Sequence, residues 1–167
     1  MSDLQKPTFL VSAYSDPVVV KVNGKANYLN CNSFREFMET IINSEKRDIF
    51  VDFESCQGMD STFLGILAGA AIQIKKVSPS NKIVIGNLNN RNHELIYNLG
   101  LHQLLVVTKK NTVVKRLFDP LKNKEISDAK SMLKAHENLT IASEQNNSKF
   151  QDVISFLRNQ VEKQEKN

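Results

Sequence analysis

The sequence predicts an α/β fold, with a mixed, mostly parallel sheet of about four or five strands, helices packed on it and a helical C-terminal extension. Up to about residue 108, short apolar runs alternate with amphipathic stretches in the order β-β-α-β-α-β-α-β. Beyond it the chain is rich in Asn, Gln, Glu and Lys, and its apolar residues have helical spacing. We therefore place a boundary near residues 109–111, and expect a domain over residues 1–110 and an extension over residues 111–167.

The composition argues against several classes of function. With 41% hydrophobic and 24% charged residues, this chain of 167 residues has an ordinary globular balance. Its net charge of +4 is spread evenly, since residues 1–110 hold 12 basic and 10 acidic groups and residues 111–167 hold 10 and 8. A chain without a basic stripe is not expected to bind nucleic acid directly. The first residues lack the pattern of a signal peptide, so we expect a cytoplasmic protein that does not insert into membranes.

The first predicted elements are two strands and a helix. Short β-branched runs predict strands over residues 9–11 and 17–22, and Gly24 ends the second of them. A helix is expected to follow, with Asn32 or Ser33 as its cap. Apolar residues then recur at offsets 0, 3, 4, 7 and 8, which is typical of one helical face: Phe34, Phe37, Met38, Ile41 and Ile42.

The centre of the predicted domain is a strand followed by an apolar helix. The strand is predicted over residues 48–53, and the uncharged run at residues 61–74 predicts a buried helix. Its 14 residues are too few to cross a bilayer, which takes about 20. We expect the small residues of this helix to lie where it packs close to the sheet. They are Gly65, Ala68 and Gly69.

One further strand, helix and strand complete the predicted domain. The strand covers residues 82–88, and the helix is capped by Asn89 or Asn90 and closed by Gly100. A last short strand is predicted over residues 104–107.

The extension carries two helical patterns. One begins after a cap at Ser127 or Asp128, and the other has apolar residues spaced along one face over residues 150–161. Three uses remain open for them: covering apolar surface of the domain, forming a homodimer, or docking a partner.

Common catalytic and metal-binding motifs are missing from the sequence. It has no GxGxxG or GxxxxGK[ST] loop, no GxSxG or HExxH motif and no Cys/His cluster, so we expect no cofactor and no metal. We interpret His93, His102 and His136 as surface or helix-packing residues. Cys31 and Cys56 are interpreted as small, partly buried residues that form no disulfide framework.

The start of the apolar helix is the most informative stretch. Asp60, Ser61 and Thr62 place a carboxylate and two hydroxyls at a helix N-terminus. Such residues are favoured as helix caps, which explains them without any function. The alternative is regulatory phosphorylation, because first-turn amides and the helix dipole favour a phosphate at that position. Both interpretations stay open on these residues alone.

A family resemblance favours the second interpretation. The segment of residues 51–65 reads VDFESCQGMDSTFLG and resembles the STAS domain of bacterial anti-sigma factor antagonists. Asp52 matches the acidic residue that ends the central strand, and residues 59–62 match the family's M-D-S-[ST] signature. The resemblance covers about residues 8–108. By position, Ser61 is similar to the family's phosphorylated serine.

The resemblance implies a phosphorylation-controlled binding protein and not an enzyme. When Ser61 is unphosphorylated, the protein would sequester an anti-sigma factor serine kinase and free a sigma factor; phosphorylation would break the complex and a serine phosphatase would reset it. The partner-binding residues implied by position are Asn27, Gln57, Gly58, Met59, Asp60, Ser61 and Thr62. Two positions depart from the family pattern. Many family members have an Asp shortly after the Gly that ends the second strand, and the closest candidate here is Asn27. Family members commonly have Gly directly before the Leu-Gly pair, where this chain has Phe63; the ring of Phe63 either fills a core gap or alters the face presented to a kinase.

Other functions remain as alternatives. The chain is also compatible with a constitutive STAS subunit of a lipid-transport ATPase complex or a stress-signalling assembly, without phosphorylation. A small enzyme acting on a phosphorylated ligand is disfavoured, since no base, nucleophile pair or metal set is evident. Nucleotide binding by backbone amides stays open.

Overall fold

A computed structural model describes residues 7–44, 47–109, 116–122 and 124–166. Within these ranges the chain forms eight strands and five α-helices. In order, they are β1 Phe9–Ser12, β2 Val18–Val22, β3 Gly24–Ala26, α1 Asn32–Ser44, β4 Ile49–Asp52, β5 Cys56–Met59, α2 Ser61–Val77, β6 Ile83–Gly86, α3 Asn90–Asn98, a 3-10 helix Leu101–Gln103, β7 Val106–Val107, β8 Asp119–Pro120, α4 Ala129–Ala142 and α5 Asn146–Glu165. Residues 110 and 111 of the expected boundary lie outside the described residues.

The main sheet has six strands in the order β7-β6-β4-β2-β1-β8. Strands β2, β4, β6 and β7 run parallel, whereas β1 pairs antiparallel with both β2 and β8. The register places Val20 beside Val51 and Val51 beside Ile85, all fully buried. Central parallel strands are covered on both faces, so they consist of continuous apolar runs, which is why the sequence predicts them well. The mixed, mostly parallel sheet with helices is confirmed.

A second, small sheet forms where the sequence predicts only a turn and a loop. Strands β3 and β5 pair in parallel, with Ala26 beside Met59. Gly24 has a φ of 70°, a left-handed conformation that glycine adopts without strain, and this lets β3 begin directly after β2. These short, partly polar runs have no alternation of apolar and polar residues to identify them as strands. Each is extended because it pairs with the other, which lies about thirty residues away in sequence.

Strands β7 and β8 also differ from the prediction. The strand predicted over residues 104–107 is limited to Val106–Val107, because the amides of Leu104 and Leu105 bond back to the carbonyl of Leu101 in a turn. The sequence does not predict strand β8, since it has two residues and one of them is Pro120. Proline is tolerated at such an edge because no ladder hydrogen bond is needed on its outer side.

Phe63 is completely buried at the start of α2. The centroid of its ring lies 4.9 Å from the ring centroid of Phe34 on α1, 6.0 Å from that of Phe9 on β1 and 6.2 Å from that of Phe53, which follows β4. The departure from the family pattern therefore fills the core and does not alter the exposed face. This aromatic cluster fixes the first turn of α2 against the sheet and α1.

The extension packs on α2, and this corrects one prediction. Gly65 and Gly69 face α4 and not the sheet: a Cβ atom on Gly65 would collide with the backbone of Ala135, and one on Gly69 with the side chain of Asn138. Ala68 does lie in the buried core. The sequence of α2 is apolar almost all round, so its periodicity does not reveal which face meets which neighbour.

Candidate functional site

Asp60 organises the start of α2. One carboxylate oxygen accepts a hydrogen bond from the amide of Phe63 at 2.9 Å, which caps the helix. The other accepts from the amide of Tyr28 at 2.8 Å, which ties the loop after β3 to the helix. Asp60 therefore accounts for the capping, and the side chain of Ser61, the first helical residue, is left for another contact.

The hydroxyl of Ser61 is bound by the C-terminal extension. Its Oγ lies 2.8 Å from Nε2 of His136 on α4. The other ring nitrogen, Nδ1, lies 2.7 Å from the carbonyl oxygen of Met132, which accepts only, so Nδ1 carries a proton. In the neutral imidazole Nε2 is then an acceptor, and the hydroxyl of Ser61 donates to it. Two residues that are 75 positions apart in sequence are thus joined.

The surroundings of His136 agree with its interpretation as a packing residue. His136 is only 4% exposed. Its ring packs in a T-shaped arrangement with the ring of Phe150 on α5, with the two ring centroids 5.4 Å apart. The other two histidines stack on the ring of Tyr97, His93 at 4.4 Å and His102 at 4.3 Å. All three therefore take part in ring packing.

Ser61 and Thr62 differ in accessibility. Ser61 is partly exposed, whereas Thr62 is buried at 4% exposure. A modifying enzyme needs the hydroxyl in reach, so Ser61 is the better placed of the two for modification.

The seven sequence-predicted residues lie along β5, directly after β3 and at the start of α2. Asn27 directly follows β3, and Asp60 directly follows β5, whose residues pair side by side. The amide of Asp60 donates to the carbonyl of Ala26 at 3.0 Å, which holds the two strand ends together. Of the β5 residues, Gln57 is exposed, while Gly58 and Met59 are partly exposed. Asn27 accepts from the amide of Leu29 at 3.0 Å, so it shapes its own loop.

A shallow cleft of about 620 Å³ opens beside Ser61 and contains residues that the sequence did not indicate. Three of its side chains are strongly exposed apolar groups: Tyr28 at 43%, Val153 at 41% and Phe156 at 62%. Ser61, Met132 and His136 also line it. The charged lining residues are Asp60 and Asp152, and no Lys or Arg is among the described residues that line the cleft. Only the packing of α4 and α5 on the domain creates this cleft, so no local sequence signal reveals it.

The cysteines are poor nucleophiles. Cys31 and Cys56 are buried at 0% and 2% exposure. Burial raises the pKa of the Cys31 thiol to about 11 and raises the pKa of Cys56 as well. Among the described residues there is no group of three or more His, Cys, Asp or Glu side chains arranged to hold a metal ion. Within the same ranges, no helix combines the length and apolarity needed to cross a membrane.

Comparisons with known proteins identify similar structures and a matching family. A comparison with curated protein sequences gives no match. A protein of Thermotoga maritima described as a candidate anti-sigma factor antagonist (TM1081) has a similar crystal structure, with a TM-score of 0.52 and 17% identity over 62% of this chain and 87% of that one. The anti-sigma factor antagonist SpoIIAA in its unphosphorylated form is similar with a TM-score of 0.50 and 17% identity, over 62% of this chain and 89% of that one.

The likeness to these two structures concerns the fold, since the identities are low. The sequence itself gives the family. The STAS domain model matches residues 9–117, well over half of the chain and including the whole of the small sheet and α2. This chain belongs to the STAS domain family.

Proposed function

We propose that this protein is an anti-sigma factor antagonist: a binding switch that holds a serine kinase while Ser61 is unphosphorylated. Binding would occur at the edge formed by Asn27, the end of β5 and the first turn of α2. The observation that carries the proposal is the position of Ser61. It is the first residue of α2, its hydroxyl is not needed for capping, and it is partly exposed beside a buried Thr62.

The electrostatics of this edge favour a switch. A phosphate adds a charge of about −1.5 to −2 at neutral pH. At Ser61 this charge would meet the carboxylate of Asp60, and the described lining of the neighbouring cleft offers Asp152 but no Lys or Arg. An unpaired charge enclosed in an interface costs about 2–5 kcal/mol, which is enough to release a partner. A serine phosphatase would then restore binding.

The test uses the full chain as bait for a serine kinase from its source cells. Wild type and Ser61→Ala are expected to retain the same kinase, while Ser61→Asp loses at least about tenfold in affinity, or about 1.4 kcal/mol. Ser80→Asp is a matched control, because Ser80 is exposed in the turn at the opposite end of α2. Equal kinase binding by Ser61→Ala and Ser61→Asp would refute the switch. Phosphosite mapping of the protein isolated from stressed and unstressed cells gives an independent measurement.

A constitutive STAS subunit is the second candidate, and one observation favours it. The hydroxyl of Ser61 already has a partner in His136, so part of the site is satisfied within the chain. Stable co-purification with a transport ATPase or a stress-signalling assembly, with Ser61 unmodified under every condition, would favour this candidate over the switch.

Residues 1–110 are proposed as the binding domain and residues 111–167 as an extension with a separate role. The homodimer through the extension remains a proposal that solution mass tests. The exposed Val153 and Phe156 on α5 would lie in the dimer interface, so a full-length monomer at micromolar concentration would exclude it.

A further inference from the structure

One face of α2, beginning at Ser61, is covered by α4. Ser61, Gly65 and Gly69 are spaced by four residues and therefore lie on the same side of the helix. Each of them contacts a residue of α4. The three pairs are Ser61 with His136, Gly65 with Ala135 and Gly69 with Asn138. The helix that presents the proposed phosphorylation site is thus the helix on which the extension is seated.

The seating of α4 on α2 is close and specific. A Cβ atom on Gly65 would lie 2.8 Å from the Cα atom of Ala135 and nearer still to its carbonyl group, so only glycine permits this approach. The side-chain amide of Asn138, which is 7% exposed, donates to the carbonyl of Gly65 at 3.4 Å. The two helices therefore fit along their length, and the contact at Ser61 lies at one end of that fit.

A second anchor holds the turn between α4 and α5. The fully buried amide of Asn146 donates to the carbonyl oxygens of Leu99 at 2.8 Å and Leu139 at 2.7 Å. Lys149 donates to the carbonyl of Asn98 at 3.1 Å. The contacts with Leu99 and Asn98 lie at the end of α3, on the domain, and the contact with Leu139 joins the turn to α4 itself. Because the turn is attached to α3, α4 can lose its contact at Ser61 while the turn stays attached.

The hydrogen bond between Ser61 and His136 requires an unmodified serine. In phosphorylation, the bond from Oγ to phosphorus forms as the bond between the γ-phosphorus of ATP and its bridging oxygen breaks. ADP leaves, and the hydroxyl proton passes to a base of the kinase. The Oγ atom of the product has no proton to donate to Nε2, and the oxygens of the dianionic phosphate, like Nε2 in this tautomer, are acceptors. The carboxylates of Asp60 and Asp152 in the cleft add like charge.

We propose that α4 and α5 form an intramolecular cap over the start of α2, latched by the hydrogen bond from Ser61 to His136, and that cap closure and phosphorylation of Ser61 exclude each other. This inference rests on the proposed role of Ser61 as the phosphorylated residue. Because coupling between two events is reciprocal, the factor by which phosphate opens the cap equals the factor by which the closed cap disfavours the phosphorylated state. The stability of the closed extension then determines how readily Ser61 is phosphorylated.

The test needs no partner protein. Phosphoserine is incorporated genetically at position 61 of the full chain, and hydrogen exchange is compared with the unmodified chain. A chain with phosphoserine at position 80 is the matched control. We expect amides of Ala129–Ala142 to exchange at least about tenfold faster with phosphate at position 61, and the strands β4 and β6 to keep their protection. The control is expected to exchange like the unmodified chain.

Two results would overturn the cap. Unchanged or slower exchange of α4 with phosphate at position 61 would mean that the extension stays closed, with a protonated His136 holding the phosphate. Loss of protection in β4 and β6 as well would mean that the phosphate unfolds the domain and that no separate cap opens.

Failure of the cap and failure of the proposed switch give different results. If α4 opens but no kinase distinguishes Ser61→Ala from Ser61→Asp, the switch fails and the cap stands. If a kinase distinguishes them while α4 keeps its protection, the cap fails and the switch stands.

Discussion

Replacing Gly65 by alanine tests the seating of α4 on α2. The new Cβ atom would lie 2.8 Å from the Cα atom of Ala135 and nearer to its carbonyl carbon and oxygen. Two carbons in ordinary contact are about 3.5–4.0 Å apart, so α4 must retreat by about 1 Å. Because the obstacle is backbone, it cannot rotate away as a side chain can.

Two effects of opposite sign decide the magnitude. Alanine improves helix propensity over glycine by about 1 kcal/mol. Overpacking of a close contact typically costs about 1–3 kcal/mol. We expect the cost at Gly65 to be about 3 kcal/mol, the upper end of that range, because the clashing atoms belong to the backbone of Ala135. We therefore expect Gly65→Ala to lower the free energy of unfolding by about 2 kcal/mol, with the loss concentrated in α4.

Gly69→Ala is the matched comparison. It lies one turn further along the same face and gains the same helix propensity, but its Cβ atom would meet the side-chain amide of Asn138, which can move. Its free energy of unfolding should stay within about 0.5 kcal/mol of wild type. Urea denaturation gives the free energies, and hydrogen exchange locates the change. If Gly65→Ala is as stable as Gly69→Ala and α4 keeps its protection, the close seating of the two helices is wrong.

Three further measurements test other parts of the structure. Phe63→Ala should lose about 3–5 kcal/mol in urea denaturation, because its ring is fully buried among three others; a loss below about 1 kcal/mol would contradict the aromatic cluster. Asp128 accepts a backbone hydrogen bond that lowers its pKa below the ordinary 3.8, so the folded state binds its proton more weakly than the unfolded state. Its stabilisation should be full above about pH 4 and disappear as the pH falls through the lowered pKa, and Asp128→Asn should lose less stability on acidification than wild type. Finally, burial raises the pKa of Cys31 and Cys56, so iodoacetamide at about pH 8 should label them only after unfolding; labelling in the native protein, seen by mass spectrometry, would show that they are accessible.

Prediction from the sequence succeeds where the evidence is local. The parallel strands β2, β4 and β6 are buried on both faces, so they stand out as apolar runs. The Asp128 cap is also evident, since its carboxylate bonds an amide three residues away. The M-D-S-T segment likewise marks the start of α2, because the side chain of Asp60 caps the helix by accepting a hydrogen bond from an amide three residues away.

Prediction fails where the partner is distant. Strands β3 and β5 are three and four residues long, and without each other neither has a reason to be extended. The sequence predicts that the glycines of α2 face the sheet, since nothing in a helix that is apolar almost all round shows that one face packs on another helix. The sequence indicates only a surface or helix-packing role for His136, because its bond to Ser61 spans 75 residues.

The sequence by itself determines the α/β order, the capped start of α2 and the resemblance that points to Ser61, because these depend on residues within a few positions of each other. The tertiary structure alone decides which surfaces meet: that Phe63 faces the core, that Gly65 faces α4 and that the hydroxyl of Ser61 donates to His136. The physical reason is that α2 can bury apolar surface on almost every side. Its neighbours are therefore chosen by close packing and by the pairing of buried polar groups, which only the folded chain brings together.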